Sequence, residues 1–147
     1  MKRILALVLL LFAFPALAQP VTFPKDTVTV ETAAGAKHKF NVELATTPPQ
    51  ISQGLMFRRQ MAADAGMLFL FDPHPAVFWM KNTYIPLDMI FIGTDGRILN
   101  IAERTIPLTE TPVPATGITR AVLEVNGGTA ARLGIKPGDR VRHAQLP

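Results

Sequence analysis

Trp79, Met80, Lys81, Asn82 and Thr83 stand together, five residues before Asp88, and the Trp is the only one in the chain. Their types suit recognition: an aromatic platform, a cation, an amide, a hydroxyl and a carboxylate can together hold a small polar ligand. Glu124 repeats the situation of Asp88, set among apolar residues in Ala121-Val122-Leu123-Glu124-Val125. A carboxylate in such a run must find a partner, because an unpaired buried charge is very costly. Arg58, Lys81 and Arg120 are cations that could answer it, as could backbone amides of the Asn82 to Pro86 loop. Two readings follow. Asp88 ties down the loop before it, as acidic residues in turns do, or Arg58, Trp79, Met80, Lys81, Asn82, Thr83, Asp88 and Glu124 form a ligand site. If Asp88 and Glu124 converge at about 5 to 10 Å, carboxylate-dependent catalysis becomes an alternative.

Other chemistries find little support. Ser52 is the only serine, and Gln50-Ile51-Ser52-Gln53-Gly54 lacks the first glycine of a nucleophile elbow. His38, His74 and His143 show no metal-ligand spacing. Met56, Met61, Met67, Met80 and Met89 could suit Cu(I), but Met is also a common core filler. The sequence therefore specifies no metal and no cofactor. Cysteine is absent, which removes thiolate chemistry, disulfides and a lipid-bearing Cys.

The elements around these residues are predicted to be strands. Thr27 to Glu31 and His38 to Ala45 alternate as a hairpin with Phe40, Val42 and Leu44 inward. Thr46-Thr47-Pro48-Pro49 opens a short helix from Gln50 to Phe57. Met67 to Phe71 reads as a strand that Asp72-Pro73-His74-Pro75 should stop. Strands over Val77–Asn82, Leu87–Ile92, Arg97–Glu103, Thr119–Asn126 and Arg140–Ala144 follow, with Asp95-Gly96 as a hairpin turn. Pro107 to Gly117 reads as a long connection barred from a sheet interior, and it or Asp72 to Pro75 could rim a pocket. About eight strands with one or two short helices predict an all-β domain, a compact sandwich or barrel-like fold.

Residues 1–18 read as a secretory signal, with Lys2 and Arg3, an apolar run from Ile4 to Phe14 and a cut after Ala18. That run is too short to span a bilayer, which takes roughly 20 residues. The expected product is one domain over 19–147, periplasmic or secreted. Of the 15 Lys and Arg, removing Lys2 and Arg3 leaves 13 against 11 Asp and Glu, a net charge of +2. Those charges are scattered, which argues against nucleic acid as a partner.

The chain resembles the prokaryotic family known as domain of unknown function 192. The resemblance rests on Gly54-Leu55-Met56-Phe57-Arg58, Gly66-Met67-Leu68-Phe69-Leu70-Phe71 and Phe78-Trp79-Met80-Lys81-Asn82-Thr83. Ile85-Pro86-Leu87-Asp88-Met89-Ile90-Phe91 and Val122-Leu123-Glu124-Val125-Asn126-Gly127-Gly128 follow in order. It covers roughly residues 38 to 145 and departs at Asn126-Gly127-Gly128, where the family more often has Ala before a single Gly. It implies a compact β-rich domain, often exported, and no agreed activity. The reading that results is an exported module binding a small polar ligand such as a sugar or peptide fragment. The alternatives are an enzyme using Asp88 and Glu124, or a domain that binds an envelope protein through exposed aromatic and Met surface.

Overall fold

The computed structural model describes residues 20–147. The signal segment expected over 1–18 lies outside the described residues. Seven strands form one sheet: β1 (Lys25–Glu31), β2 (Lys37–Ala45), β3 (Ala65–Phe78), β4 (Leu87–Gly93), β5 (Ile98–Thr105), β6 (Val113–Asn126) and β7 (Arg140–Arg142). Two short helices accompany them, α1 (Pro48–Gln53) and α2 (Thr129–Leu133).

The strand order is β5-β4-β6-β3-β2-β1-β7, antiparallel throughout except for the β2–β3 pair. The sheet curls until its last strand meets its first. Arg97, just before β5, bridges Arg140 of β7. Ile98 N donates to Asp139 O at 2.9 Å, and Val141 N to Gly96 O at 2.8 Å. The outcome is the all-β, barrel-like domain expected.

Alternation along the strands feeds two cores. Val28, Val30, Phe40, Val42, Leu68, Ile90, Ile92, Leu123 and Val125 fill the inside of the curl. Leu55, Met67, Phe69, Met80, Leu87, Met89, Phe91 and Val122 form a second core on the outer face. Connections drape over that outer face, which is why strand β4, flanked by β5 and β6, is buried at every position. Phe40, Val42 and Leu44 point inward as their alternation requires.

Three expectations about elements need correction. Asp72-Pro73-His74-Pro75 does not stop a strand; β3 runs through it with register shifts after Leu70 and Pro75. Pro107 to Gly117 does not stay out of the sheet, since β6 begins at Val113 and pairs Pro114 with Val77. Both follow from where neighbours end. β2 pairs with β3 only over residues 65 to 69, and β4 reaches β6 only from Thr119 onward. The far arms of β3 and β6 are therefore a two-stranded ribbon with no third strand paired at either edge, where proline costs no ladder bond. Asn100 anchors that ribbon to β5: its Oδ1 accepts from Thr116 N at 3.0 Å and its Nδ2 donates to Pro114 O at 3.2 Å. The third correction concerns Val77–Asn82, where the strand stops at Phe78 and residues 81–82 turn. Asn82 takes a left-handed φ of 53°, which Asn tolerates better than most residues.

Candidate functional site

The register of β4 against β6 decides the fate of the two carboxylates. Asp88 pairs with Val125 and Met89 with Glu124. Because successive side chains alternate, Asp88 shares the inner face with Val125, while Glu124 shares the outer face with Met89 and Met67. They do not converge. The carboxylate pair required for the enzyme reading is absent on this geometry.

Asp88 is fully buried and fully used. Its Oδ1 accepts from the amides of Arg104 and Gly128, each at 2.8 Å, and its Oδ2 from Ala130 N at 2.8 Å. It ties β5 and the start of α2 to β4, not the loop before it. Its place among the ligand-binding residues is corrected accordingly: three backbone donors occupy the groups a ligand would need.

Glu124 is the opposite case. It is 4% exposed, and among the described residues no group donates a hydrogen bond to its carboxyl. Burial pushes that carboxyl up to about 8, so it is a neutral acid at pH 7. It lies in a pocket of about 260 Å³, lined also by Ile51 to Met56, Phe69, Val77, Phe78, Trp79, Lys81 and Thr83. Phe69 and Phe78 meet edge to face, with centroids 5.0 Å apart. Trp79 is half-exposed at the rim, and Lys81 reaches across it with Nζ 5.2 Å from the ring centroid. The same Nζ lies 3.6 Å from Glu110 Oε1.

Local structure explains this assembly. Gln50 Oε1 accepts from Thr46 N and Thr47 N, fixing the entry to α1. Gly54 ends the helix at φ 47° and ψ −134°, a conformation suited to glycine. A Cβ there would stand 3.1 Å from Phe69 Cζ, so glycine also lets the segment approach the aromatic wall. On the other side Thr83 N donates to Met80 O, and Thr83 Oγ1 to Lys81 O. Leu108 N and Thr109 O bond to Thr83 O and Met80 N, propping the turn from behind.

Of the residues singled out from sequence, Trp79, Lys81, Thr83 and Glu124 come together at the pocket. Arg58 does not: it pairs with Glu43 and stacks near Phe23, beside a separate surface hollow. Met80 is buried in the outer core, where its Sδ accepts from Thr105 Oγ1 at 3.1 Å. Asn82 faces outward, its carbonyl taking Phe57 N and its Nδ2 approaching Met56 Sδ at 3.9 Å. Neither Pro107 to Gly117 nor Asp72 to Pro75 lines this pocket; α1 and the segment after it do. The helix-ending glycine and the Leu55-Met56 step were the available signal for that wall.

Among the described residues, no group of three or more His, Asp or Glu is placed to hold a metal ion. His143 instead contacts Asp26 at 3.2 Å. Among the described residues no helix is long and apolar enough to cross a membrane.

A small pocket lined by a carboxylic acid thus lies on the outer face of a curled β sheet. The chain belongs to the family DUF192, described as "Uncharacterized ACR", which matches residues 29–143. It is similar to a crystallised protein of Sinorhizobium meliloti 1021, provisionally described as a transcription regulator. The identity is 49% over 87% of this chain and 100% of that one, with a TM-score of 0.84. It is also similar to a protein of unknown function from Novosphingobium aromaticivorans DSM 12444. There the identity is 50% over 90% of this chain and 94% of that one, with a TM-score of 0.81. No curated protein matches the chain.

Proposed function

We propose that this protein is an exported module that binds a small ligand in the pocket floored by Glu124. The observation that carries the reading is the state of that residue: a largely buried Glu124 whose carboxyl has no hydrogen-bond partner among the described residues and which lines an aromatic-walled pocket. Proteins rarely leave a buried polar group unanswered, and one that opens into a cavity is most simply answered by a guest. A volume of about 260 Å³ is at the small end for ligand pockets, which run from roughly 300 Å³ upward. It suits one sugar ring or one side chain of a peptide, not an extended polymer.

The regulator description belongs to the Sinorhizobium meliloti protein. In this chain Lys37, Arg58, Lys81 and Arg142 each lie against a carboxylate, which leaves them poorly disposed to a phosphate backbone. The six- and five-residue helices are also short for reading a groove.

Trp79 reports on occupancy, being the sole indole and part of the rim. Titration with monosaccharides, dipeptides and small alcohols, amines and acids should give a saturable fluorescence change with at least one class. Glu124→Gln should weaken that response while circular dichroism stays unchanged. A flat response to the whole panel from a folded protein would sink the proposal.

A second reading, docking of an envelope protein, is favoured by exposed apolar side chains outside the pocket lining. Phe57, Tyr84, Ile106 and Leu108 are exposed, and Phe57 and Leu108 sit on left-handed backbone at φ 66° and 65°. Such conformations cost about 1 kcal/mol or more in a non-glycine residue. On this reading Phe57→Ser with Leu108→Asn would abolish co-purification with an envelope partner and leave the Trp79 response to small ligands intact. Retained co-purification would refute it.

A further inference from the structure

The surroundings of Glu124 restrict what its guest can be. Its strand neighbours are Met67 of β3 and Met89 of β4, which carry no charge. The covering segment Ile51 to Met56 adds Ser52 and Gln53 as polar side chains and nothing titratable. From the turn, Lys81 is the one charged side chain among the described lining residues, and its ammonium is engaged by Glu110 and the Trp79 ring. Arg58 is held by Glu43, and Arg120 donates to the Phe71 carbonyl. The acid thus lacks a counter-charge among these neighbours, and the pocket it opens into is lined by Phe69, Phe78 and Trp79, rings of the type that attract cations.

We propose that the group received on Glu124 is a cationic amine, carried by a ligand no larger than a long amino-acid side chain. The inference deepens the small-ligand reading and rests on it. Binding sets an ammonium against the carboxylate and sends the carboxyl proton to solvent, so one charge enters the pocket and one proton leaves. A neutral guest would keep the proton in place. An anion would face the acid without a free cation to receive it.

n-Butylamine, n-butanol and butyrate are matched probes of suitable size, read by Trp79 fluorescence and by calorimetry in two buffers of different ionisation heat. Butylamine should bind with release of about one proton near pH 6. Its affinity should rise about fiftyfold from pH 6 to pH 8, following the ionised fraction of an acid that titrates at about 8, and level off above. Lys81→Met should tighten butylamine binding severalfold by removing a like charge. Glu124→Gln, which keeps the shape and a neutral group, should abolish the pH dependence and most of the affinity.

Butylamine binding without proton release, or unchanged in Glu124→Gln, overturns the amine assignment. Saturable binding of butanol or butyrate with none of butylamine also overturns it, and leaves the small-ligand reading standing. Failure of all three probes on a folded protein overturns the amine assignment, and only a flat response to the wider panel of sugars and dipeptides removes the small-ligand reading as well.

Discussion

Replacing Glu124 by Gln should change how stability depends on pH, and the size of the change follows from burial. In the unfolded chain this carboxyl titrates near its ordinary 4.5, and in the folded protein burial holds it at about 8. Between those values the folded state binds a proton that the unfolded state has released. Raising the pH through that window therefore favours unfolding. Stability is intact below about 4.5, falls by about 1.4 kcal/mol per pH unit, and is fully diminished above about 8. The accumulated loss is roughly 5 kcal/mol, a large share of the 5 to 15 kcal/mol typical of a domain. Glutamine has the same shape and does not titrate. Urea denaturation of both proteins at intervals from pH 5 to pH 9 should give similar stabilities at the acid end and a widening advantage for Glu124→Gln toward the alkaline end. Parallel curves would refute the reasoning, because they would mean that the carboxyl is already compensated inside the fold.

The remaining predictions concern the frame of the site. Asp88→Asn leaves three backbone donors facing an amide that can accept fewer of them, and should cost about 3–5 kcal/mol in urea denaturation at pH 7. Gly66→Ala would put a Cβ 2.6 Å from the Glu124 carbonyl oxygen, and should lower stability by about 1–3 kcal/mol and disturb the Trp79 signal, both measured on one melt. Glu31 behaves oppositely to Glu124. Its hydrogen bond to Arg142, with that charge and Lys37, holds its carboxyl below the usual range, so its contribution is present above the ordinary carboxylate range and lost as pH falls. Glu31→Gln should flatten the acid limb of the stability curve and leave the alkaline limb unchanged.

Much of this was legible along the chain. Alternation in β2 announces a strand with one wet face, while the apolar runs of β4 and β6 announce strands buried on both, and that second pattern marks Asp88 and Glu124 as anomalies. The cluster from Trp79 to Thr83 likewise marked the turn whose Trp79, Lys81 and Thr83 line the pocket. Absence of cysteine removed whole chemistries before any fold was known. The proline-bearing arms of β3 and β6 misled, because local chemistry cannot say that neighbouring strands end early and leave an edge free.

Only the tertiary structure separated the two acids. Both sit in similar apolar surroundings in the sequence, and nothing local predicts that one meets three amides and the other none. Register makes the difference: Asp88 opposite Val125 and Glu124 opposite Met89 must project to opposite faces of one sheet. The inner face brings the backbone of Arg104, Gly128 and Ala130 to Asp88, while the outer face offers Glu124 aromatic rings and open space. Residue types stated that two carboxylates needed partners, and strand pairing across long sequence separations determined which of them found one.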